Sequence, residues 1–446
     1  MSEFPPFCDS SMLPPPGSHV VLGMSGGVDS STTAALLQKN GCTVHGVYLK
    51  LFNAKSVERA EADAKGVGSL LGIQIETIDY RQQFDEHVIR PFVEAYCTGT
   101  TPLPCALCNY YIKFDAFCEH AHRVGAQFVA TGHYAIKKCI NGVSALCPAN
   151  DKRRDQSYFM FGISAHQLEM AVFPLGGVSS KDQVRQYAKE CGIPVAQKPD
   201  SQDICFLSEY DGCYVTFIRQ YIEEQKQNRS SEVHFAKESN ACGNGVHLNT
   251  EPNACGSDVR SAAESKACGS GVHSATESNI QEWAIQPGKI LDANEHVVGE
   301  HQGALHYTVG QRRGLGISAP HPLYVFKIAG SNVYVGPLEQ LAVQKVFLKD
   351  CNYHPLALQM LRTCEPTCEH TSEPTCECEP TCEPIRVMTQ YRSAMPPVPG
   401  TFAIGADGVP VVTFDDAQYG VSPGQAEVFR MLDGTVLGGG WIERTG

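Results

Sequence analysis

The chain of 446 residues carries 35 Lys and Arg against 48 Asp and Glu, a formal net charge of -13. That length supports two or three domains with cores of their own. No apolar run approaches the ~18 residues of a membrane span, and the acidic balance leaves nucleic-acid binding to a local basic patch rather than to overall charge. Twenty cysteines would suggest a disulfide framework in a short secreted chain. In a long chain without an export signal they read as reduced thiols, metal ligands or catalysts, and the expected location is the cytoplasm.

Met1 to Gly17 is proline-rich and lacks basic residues, and predicts a disordered lead-in. From Ser18 short apolar runs alternate with amphipathic stretches. His19 to Leu22, Val44 to Leu49, Ile73 to Ile78 and Phe128 to Thr131 predict strands, and Ser31 to Lys39, Val57 to Leu71, Phe84 to Tyr96 and Ile112 to Val124 predict helices. This alternation gives an α/β fold, a doubly wound parallel sheet with helices on both faces, whose ligands bind at the carboxyl ends of the strands.

The first strand runs into Gly23-Met24-Ser25-Gly26-Gly27-Val28-Asp29-Ser30 and then into a helix. Glycines let the backbone approach oxygen atoms, and the unpaired N–H groups of a helix start point at anions. There is no GK[ST], so this is not the common P-loop with its phosphate lysine. SGGVDS resembles the pyrophosphate-binding loop of ATP pyrophosphatases, which split ATP into AMP and pyrophosphate.

Further along, Pro104-Cys105-Ala106-Leu107-Cys108-Asn109 precedes the helix expected near Ile112. A helix N-terminus favours a thiolate at Cys108. By itself the Cys-x2-Cys pair is half a zinc site, a redox pair or a nucleophile. Cys205, in KPDSQDICF, has apolar neighbours and reads equally as a buried structural thiol or as a functional one.

Two repeats interrupt the chain. Residues 238–276 repeat with period 13, one cysteine per unit (Cys242, Cys255, Cys268), and residues 363–384 repeat CEPT with Cys364, Cys368, Cys376, Cys378 and Cys382. The spacing is poor for zinc, and small, polar, Pro- and Glu-rich units cannot bury a core. Both predict flexible inserts. Beyond Trp283, short strands and Gly-rich turns (among them Tyr324 to Ile328, Asn332 to Val335, Val409 to Phe414 and Ala426 to Leu432) predict a small β-barrel. The expected organisation is a catalytic domain over 18–205, a central domain over 206–317 and a barrel over 318–446.

GMSGGVDSS, CALCNYYIKF, ATGHYA, RRDQSYFMF, FPLG, KPDSQDICF, HQGALHYTVGQRRGLGI, SPGQAEVF and LGGGWI occur in this order. Together they resemble the tRNA-specific 2-thiouridylases (the MnmA family). The resemblance implies replacement of the 2-oxygen of the wobble uridine by sulfur in tRNAs for Lys, Glu and Gln. ATP adenylates that oxygen, and AMP departs when sulfur attacks. It implies ATP contacts at Gly23 to Ser30, Leu49 and Gly132, with Mg²⁺ compensating the phosphates. It assigns Cys205 as the persulfide carrier, loaded by a sulfur-relay protein or a cysteine desulfurase. It assigns Cys108 as the partner nucleophile, the two closing a redox-active disulfide on product release. Leu103, Pro104, Cys105, His133, Arg154, Asp155, Gln156, Gln390, Tyr391 and Gln425 match tRNA-contacting positions. Arg312, Arg313 and Lys289 read equally as phosphate contacts or as a solvated face.

The chain departs from the family pattern at Cys105, where some members carry Asp, and at Gln390, where many carry Arg. Cys105, Cys108 and Cys205 are also a candidate ligand set for a [4Fe–4S] cluster, which would change the route but not the product. Two rival readings are an amidating synthetase that uses the same ATP loop, and a Cys-rich metal-binding or storage protein built on the repeats.

Overall fold

The computed structural model describes residues 5, 7, 8, 10–200, 203–241, 282–362 and 384–446. The two repeats, apart from residues 238–241 and 384, lie outside the described residues.

The first sheet is wholly parallel, in the order β3-β2-β1-β4-β7. Chain order builds it as β1 (His19–Gly23), α1 (Val28–Lys39), β2 (Thr43–Lys50), α2 (Lys55–Leu71) and β3 (Ile75–Asp79). A helical stretch follows as α3 (Arg81–Phe84), a π-helical turn (Asp85–Ile89) and α4 (Arg90–Cys97). Next come α5 (Pro104–Cys108), a second π-helical turn (Asn109–Lys113), α6 (Phe114–Val124) and β4 (Phe128–Ala130). The hairpin β5 (Ala135–Ile140) and β6 (Val143–Pro148) leads to α7 (Ala165–Met170), β7 (Ala171–Val172) and α8 (Lys181–Glu190).

Strand alternation sorts the central strand onto two cores. Val20 and Leu22 face a cluster with Leu36, Leu37, Ala64 and Val184, from α1, α2 and α8. Val21 faces Phe117, Ala121 and Val129, on the α6 side. Each fully buried leucine contributes about 2 kcal/mol, so the sheet is fixed from both faces. Helices α7 and α8 each start in a capping box, Ser164 with Gln167 and Ser180 with Gln183, which satisfies amides that the helix start leaves unpaired.

The lead-in differs from expectation. Phe7, Cys8 and Leu13 are buried in the α1–α8 core, and Asn40 Nδ2 donates to the Pro14 carbonyl at 2.6 Å. Three apolar side chains within a proline-rich stretch are enough to hold it down.

Residues 214–280 form a separate unit, of which α9 (Tyr214–Ala241) is described. Then β8 (Gly288–Leu291), β9 (Val297–His301), β10 (Tyr324–Ala329) and β11 (Asn332–Gly336) make a mixed sheet in the order β10-β11-β8-β9. The sequence reading put β10 and β11 in the barrel. Instead β11 pairs parallel with β8, and Ile290, Val325, Val333 and Val335 close one small core.

The barrel comprises β12 (Ala342–Tyr353), β13 (Ile385–Gln390), β14 (Val398–Ile404), β15 (Pro410–Tyr419), β16 (Ala426–Arg430) and β17 (Val436–Thr445), closed by the β12–β17 pairing, with α10 (Pro355–Arg362) between β12 and β13. The β5–β6 hairpin extends its sheet through a bridge between Val436 and Leu146. Ala106, Phe114, Tyr158, Ala426, Val428 and Trp441 share one core, so the barrel wall positions α5, the helix that carries Cys105 and Cys108.

Candidate active site

The loop after β1 is held in shape by its own serines. Ser25 N donates to Ser30 Oγ at 3.1 Å, the two hydroxyls are 3.2 Å apart, and Ser31 Oγ donates to the Gly27 carbonyl at 2.8 Å. Met24 N donates to the Val47 carbonyl at 2.8 Å, which ties the loop to β2. Gly27, the N-cap of α1, makes no side-chain cap, so the first amides of the helix stay available to an anion. Gly26 has φ +71°, and a Cβ there would lie 2.1 Å from the Ala60 carbonyl oxygen. A Cβ at Gly132 would lie 2.8 Å from Ser30 N. The end of β4 thus passes directly over the cradle at Gly132, while Leu49, on β2, packs against the core on the α6 side.

Asp29 is not a free carboxylate. Lys181 Nζ lies 2.6 Å from both of its oxygens, and Tyr134 OH donates to it at 2.7 Å. Burial and the adjacent Asp29 push the Tyr134 phenol far up, so it remains a donor. Lys181 also reaches Asp200 at 3.1 Å, and Asp200 takes Arg154 at 2.9 Å and Arg185 at 3.0 Å. Lys198 donates to the Gly26 carbonyl at 2.9 Å and pairs with Asp63 at 2.6 Å. Sequence reasoning missed Lys181, Arg185, Lys198 and Asp200. Lys198 and Asp200 stood in the KPDSQDICF segment that was read for its cysteine.

The cysteines come within electrostatic reach of one another from distant elements. Cys205 opens a 3-10 turn, Cys205–Tyr210, and the next residue, Phe206, packs edge-on against Phe84 and Phe92 at 5.9 and 5.1 Å between ring centroids. The Cys205 thiol lies within electrostatic reach of Cys108, Lys113 and Cys105, and of Tyr48 on β2. It is exposed, yet the protein atoms around it desolvate the thiol and push it up to about 12.

Cys108 corrects an expectation. The helix begins at Pro104 rather than near Ile112 and runs on through the π turn into α6. Cys108 therefore lies inside it and is buried, and desolvation pushes its thiol up to about 11 against the lowering effect of Lys113. Burial outweighs the helix dipole here. Cys105 is exposed.

All cysteines among the described residues are free thiols. No group of three His, Cys, Asp or Glu side chains among the described residues converges as metal ligands, so Cys105, Cys108 and Cys205 do not fit a [4Fe–4S] cluster in this arrangement.

The positions matched to tRNA contacts fall into two groups. Leu103 is half-buried and Pro104 buried at the start of α5, beside exposed Cys105. His133 accepts or donates at Thr131 Oγ1, 2.8 Å away, with its ring 6.1 Å from Phe114, and burial drops it to about 3, so it is neutral at physiological pH. The others hold the frame. Asp155 takes the amides of Ala149 and Ser157 and the Ser157 hydroxyl; Gln156 takes Tyr134 N at 2.9 Å. Gln425 Nε2 donates to the Thr101 and Pro102 carbonyls at 3.0 and 3.1 Å. Gln390 and Tyr391 are buried: Gln390 spans three carbonyls and accepts from Arg430, and Tyr391 OH donates to Gln418. Arg312 and Arg313 are exposed, and Arg312 borders an open groove of about 680 Å³ along residues 314–323.

A parallel sheet with an SGGVDS cradle at its carboxyl edge, joined to a C-terminal barrel, defines an ATP-using enzyme of the HUP-domain class. Family models described as the tRNA methyl transferase HUP domain, its PRC-barrel domain and the aminomethyltransferase β-barrel domain match residues 18–209, 280–337 and 370–442. The tRNA-specific 2-thiouridylase MnmA of Methylobacterium radiotolerans is 34% identical over 96% of this chain and 94% of its own length. The proteins of the same name from Beijerinckia indica (36%, over 97% and 86%) and Syntrophotalea carbinolica (35%, over 95% and 98%) are similarly close. The chain belongs to the family of tRNA-specific 2-thiouridylases, ATP-dependent sulfurtransferases that act on tRNA.

Proposed function

We propose that the chain thiolates the wobble uridine of tRNAs for Lys, Glu and Gln through a persulfide on Cys205. The observation that carries this reading is that Cys205 and Cys108, on elements far apart in sequence, lie within electrostatic reach of each other in the domain that holds the ATP cradle.

The uridine 2-oxygen attacks the α-phosphorus of ATP, pyrophosphate leaves, and the oxygen becomes part of a good leaving group. The amides of Gly26 to Ser30 and the helix α1 dipole receive the phosphates. Mg²⁺ would supply counter-charge to the phosphates, and Asp29 is matched by Lys181. The terminal sulfur of the Cys205 persulfide then attacks C2 and loses its proton. The Cys108 thiolate attacks the Cys205 sulfur, the S–S bond to the transferred atom breaks, and AMP departs from C2. The products are 2-thiouridine, AMP and a Cys108–Cys205 disulfide, which an external thiol reductant returns to two thiols.

A relay protein or cysteine desulfurase supplies the persulfide at exposed Cys205. Leu103, Pro104 and Cys105 flank the target base, and His133 is a neutral hydrogen-bonding group beside it. Arg154, Asp155, Gln156 and Gln425 shape the tRNA-facing frame, while the buried Gln390 and Tyr391 support it from inside the barrel. The barrel matches a model named for aminomethyl transfer, yet the cysteine pair beside an ATP loop suits sulfur transfer.

The test is an anaerobic assay with wobble-uridine tRNA, ATP and a persulfide donor, reading 2-thiouridine by nucleoside mass spectrometry and AMP in parallel. The expected result is one AMP per thiolated uridine, lost in Cys205→Ser and in Cys108→Ser. Thiolation that persists in Cys205→Ser, or amide formation from ammonia, overturns the reading.

A further inference from the structure

Lys113 has no role in the scheme above. The amide of Phe114 bonds the carbonyl of Asn109, five residues back rather than four. A π turn of this kind stacks position i+5 where an α-helix would stack i+4. Beyond Cys108 an α-helix would place Ile112, which is fully buried and apolar. The π turn places Lys113 there instead.

The side chain of Lys113 is half-buried, and among the described residues no carboxylate pairs with it and no hydrogen bond engages it. The groups within its electrostatic reach include Cys105 and Cys108 on α5, Cys205 on the 3-10 turn, and His133 beyond β4. His133 is neutral, so it neither competes with Lys113 as a cation nor pairs with it. One cation within electrostatic reach of three thiols, with no carboxylate paired to it among the described residues, favours negative charge on sulfur.

We propose that Lys113 is the positioning cation of the sulfur transfer, holding the persulfide of Cys205 and the thiolate of Cys108 as anions while each attacks. The requirement is physical. Burial raises all three thiols, and a neutral thiol is a poor nucleophile. Lys113 lowers each of them, so the burial that raises the thiols does not silence the nucleophiles. The π turn is the local device that swaps a packing residue for this charge.

The inference rests on the sulfur-transfer reading for Cys108 and Cys205, and the experiment separates the two. Full-length Lys113→Met and Lys113→Arg are compared with the parent for single-turnover thiolation across about pH 6.5 to about pH 10, and for iodoacetamide labelling of the Cys108 and Cys205 peptides over the same range. Lys113→Met should move both labelling profiles to higher pH and slow thiolation about 10- to 100-fold at pH 7, with recovery as pH rises. Lys113→Arg should stay within about fivefold of the parent, because it keeps the charge. The affinity for tRNA should not change.

Unmoved profiles in Lys113→Met, an arginine variant as slow as the methionine one, or a loss of tRNA affinity that accounts for the slower rate would each overturn the inference. If Cys108→Ser and Cys205→Ser still thiolate, the underlying reading fails; if they are inactive and the Lys113 profiles do not move, only the inference fails.

Discussion

Lys181 places its ammonium 2.6 Å from both oxygens of Asp29, joining the first turn of α8 to the first turn of α1. The lysine is 7% exposed and the aspartate 31%. Without Lys181 the cradle would present a bare carboxylate to the phosphates of ATP. The pair thus makes an acidic loop residue compatible with an anionic ligand.

Lys181→Met is predicted to destabilise the protein by about 2 kcal/mol, less than for a fully buried pair because Asp29 is partly solvated. The ATP KM should rise by at least about tenfold, since a repulsion is created at the site. Asp29→Asn should be milder, because Lys181 keeps Asp200. Thermal melting and the ATP dependence of thiolation check both, and an ATP KM unchanged in Lys181→Met would refute this role.

Gln425 makes a second long-range prediction. Its side-chain amide holds the Thr101 and Pro102 carbonyls, and next to it Thr101 N donates to Pro423 O at 3.0 Å. These bonds fix the segment that enters α5, and with it Cys108. Gln425→Ala should lower the thiolation rate about tenfold by misplacing the nucleophile. The ATP KM and the Kd for tRNA should change less than about twofold. A Gln425 that binds tRNA directly would raise the Kd instead, so the two measurements distinguish the roles.

How much of this was legible in the sequence depended on the range of each interaction. The ATP loop was legible because strand, glycines, serines and helix start are consecutive. The Asn141-Gly142 pair, both at positive φ, marks the β5–β6 turn in plain view, although the sequence reading made no use of it. Lys181 was not legible, because nothing local distinguishes it from a solvated helix lysine. The π turn was hidden for another reason: one extra residue in a single turn barely alters an amphipathic pattern over twenty. The same oversight put the start of the Cys108 helix too late and made its thiol look more acidic than burial allows.

Two glycines of the cradle are predicted to fail differently. Gly26 combines φ +71° with a Cβ position 2.1 Å from a backbone oxygen of α2. Gly26→Ala must move the loop or the helix, and should cost about 2 kcal/mol of stability as well as ATP binding. A Cβ at Gly132 meets the Ser30 amide at 2.8 Å and the Asp29 backbone at 2.9 Å, where an anion would dock. Gly132→Ala should raise the ATP KM by at least about tenfold, with a smaller loss of stability than Gly26→Ala. Melting temperature set against ATP KM separates the two; equal effects on both would show that Gly132 serves packing alone.

Glu427 gives the pH dependence of the barrel. It is fully buried on β16, one oxygen accepts from the Thr389 hydroxyl, and the other has no partner among the described residues. Desolvation pushes its carboxyl up to about 8, so the folded protein holds this proton at neutral pH. The unfolded chain, with a carboxyl near the ordinary ~4.5, releases it. A raised folded-state pKa gives stability that is full below about 4.5 and lost as pH rises through about 8. Glu427→Gln keeps the shape and removes the titration. Its melting temperature should therefore approach or pass that of the parent above about pH 8, and should change less between about pH 6 and about pH 9, by roughly 3 °C or more. Thermal melts of the two proteins across that range decide the matter: parallel curves would mean that Glu427 is not the group that titrates.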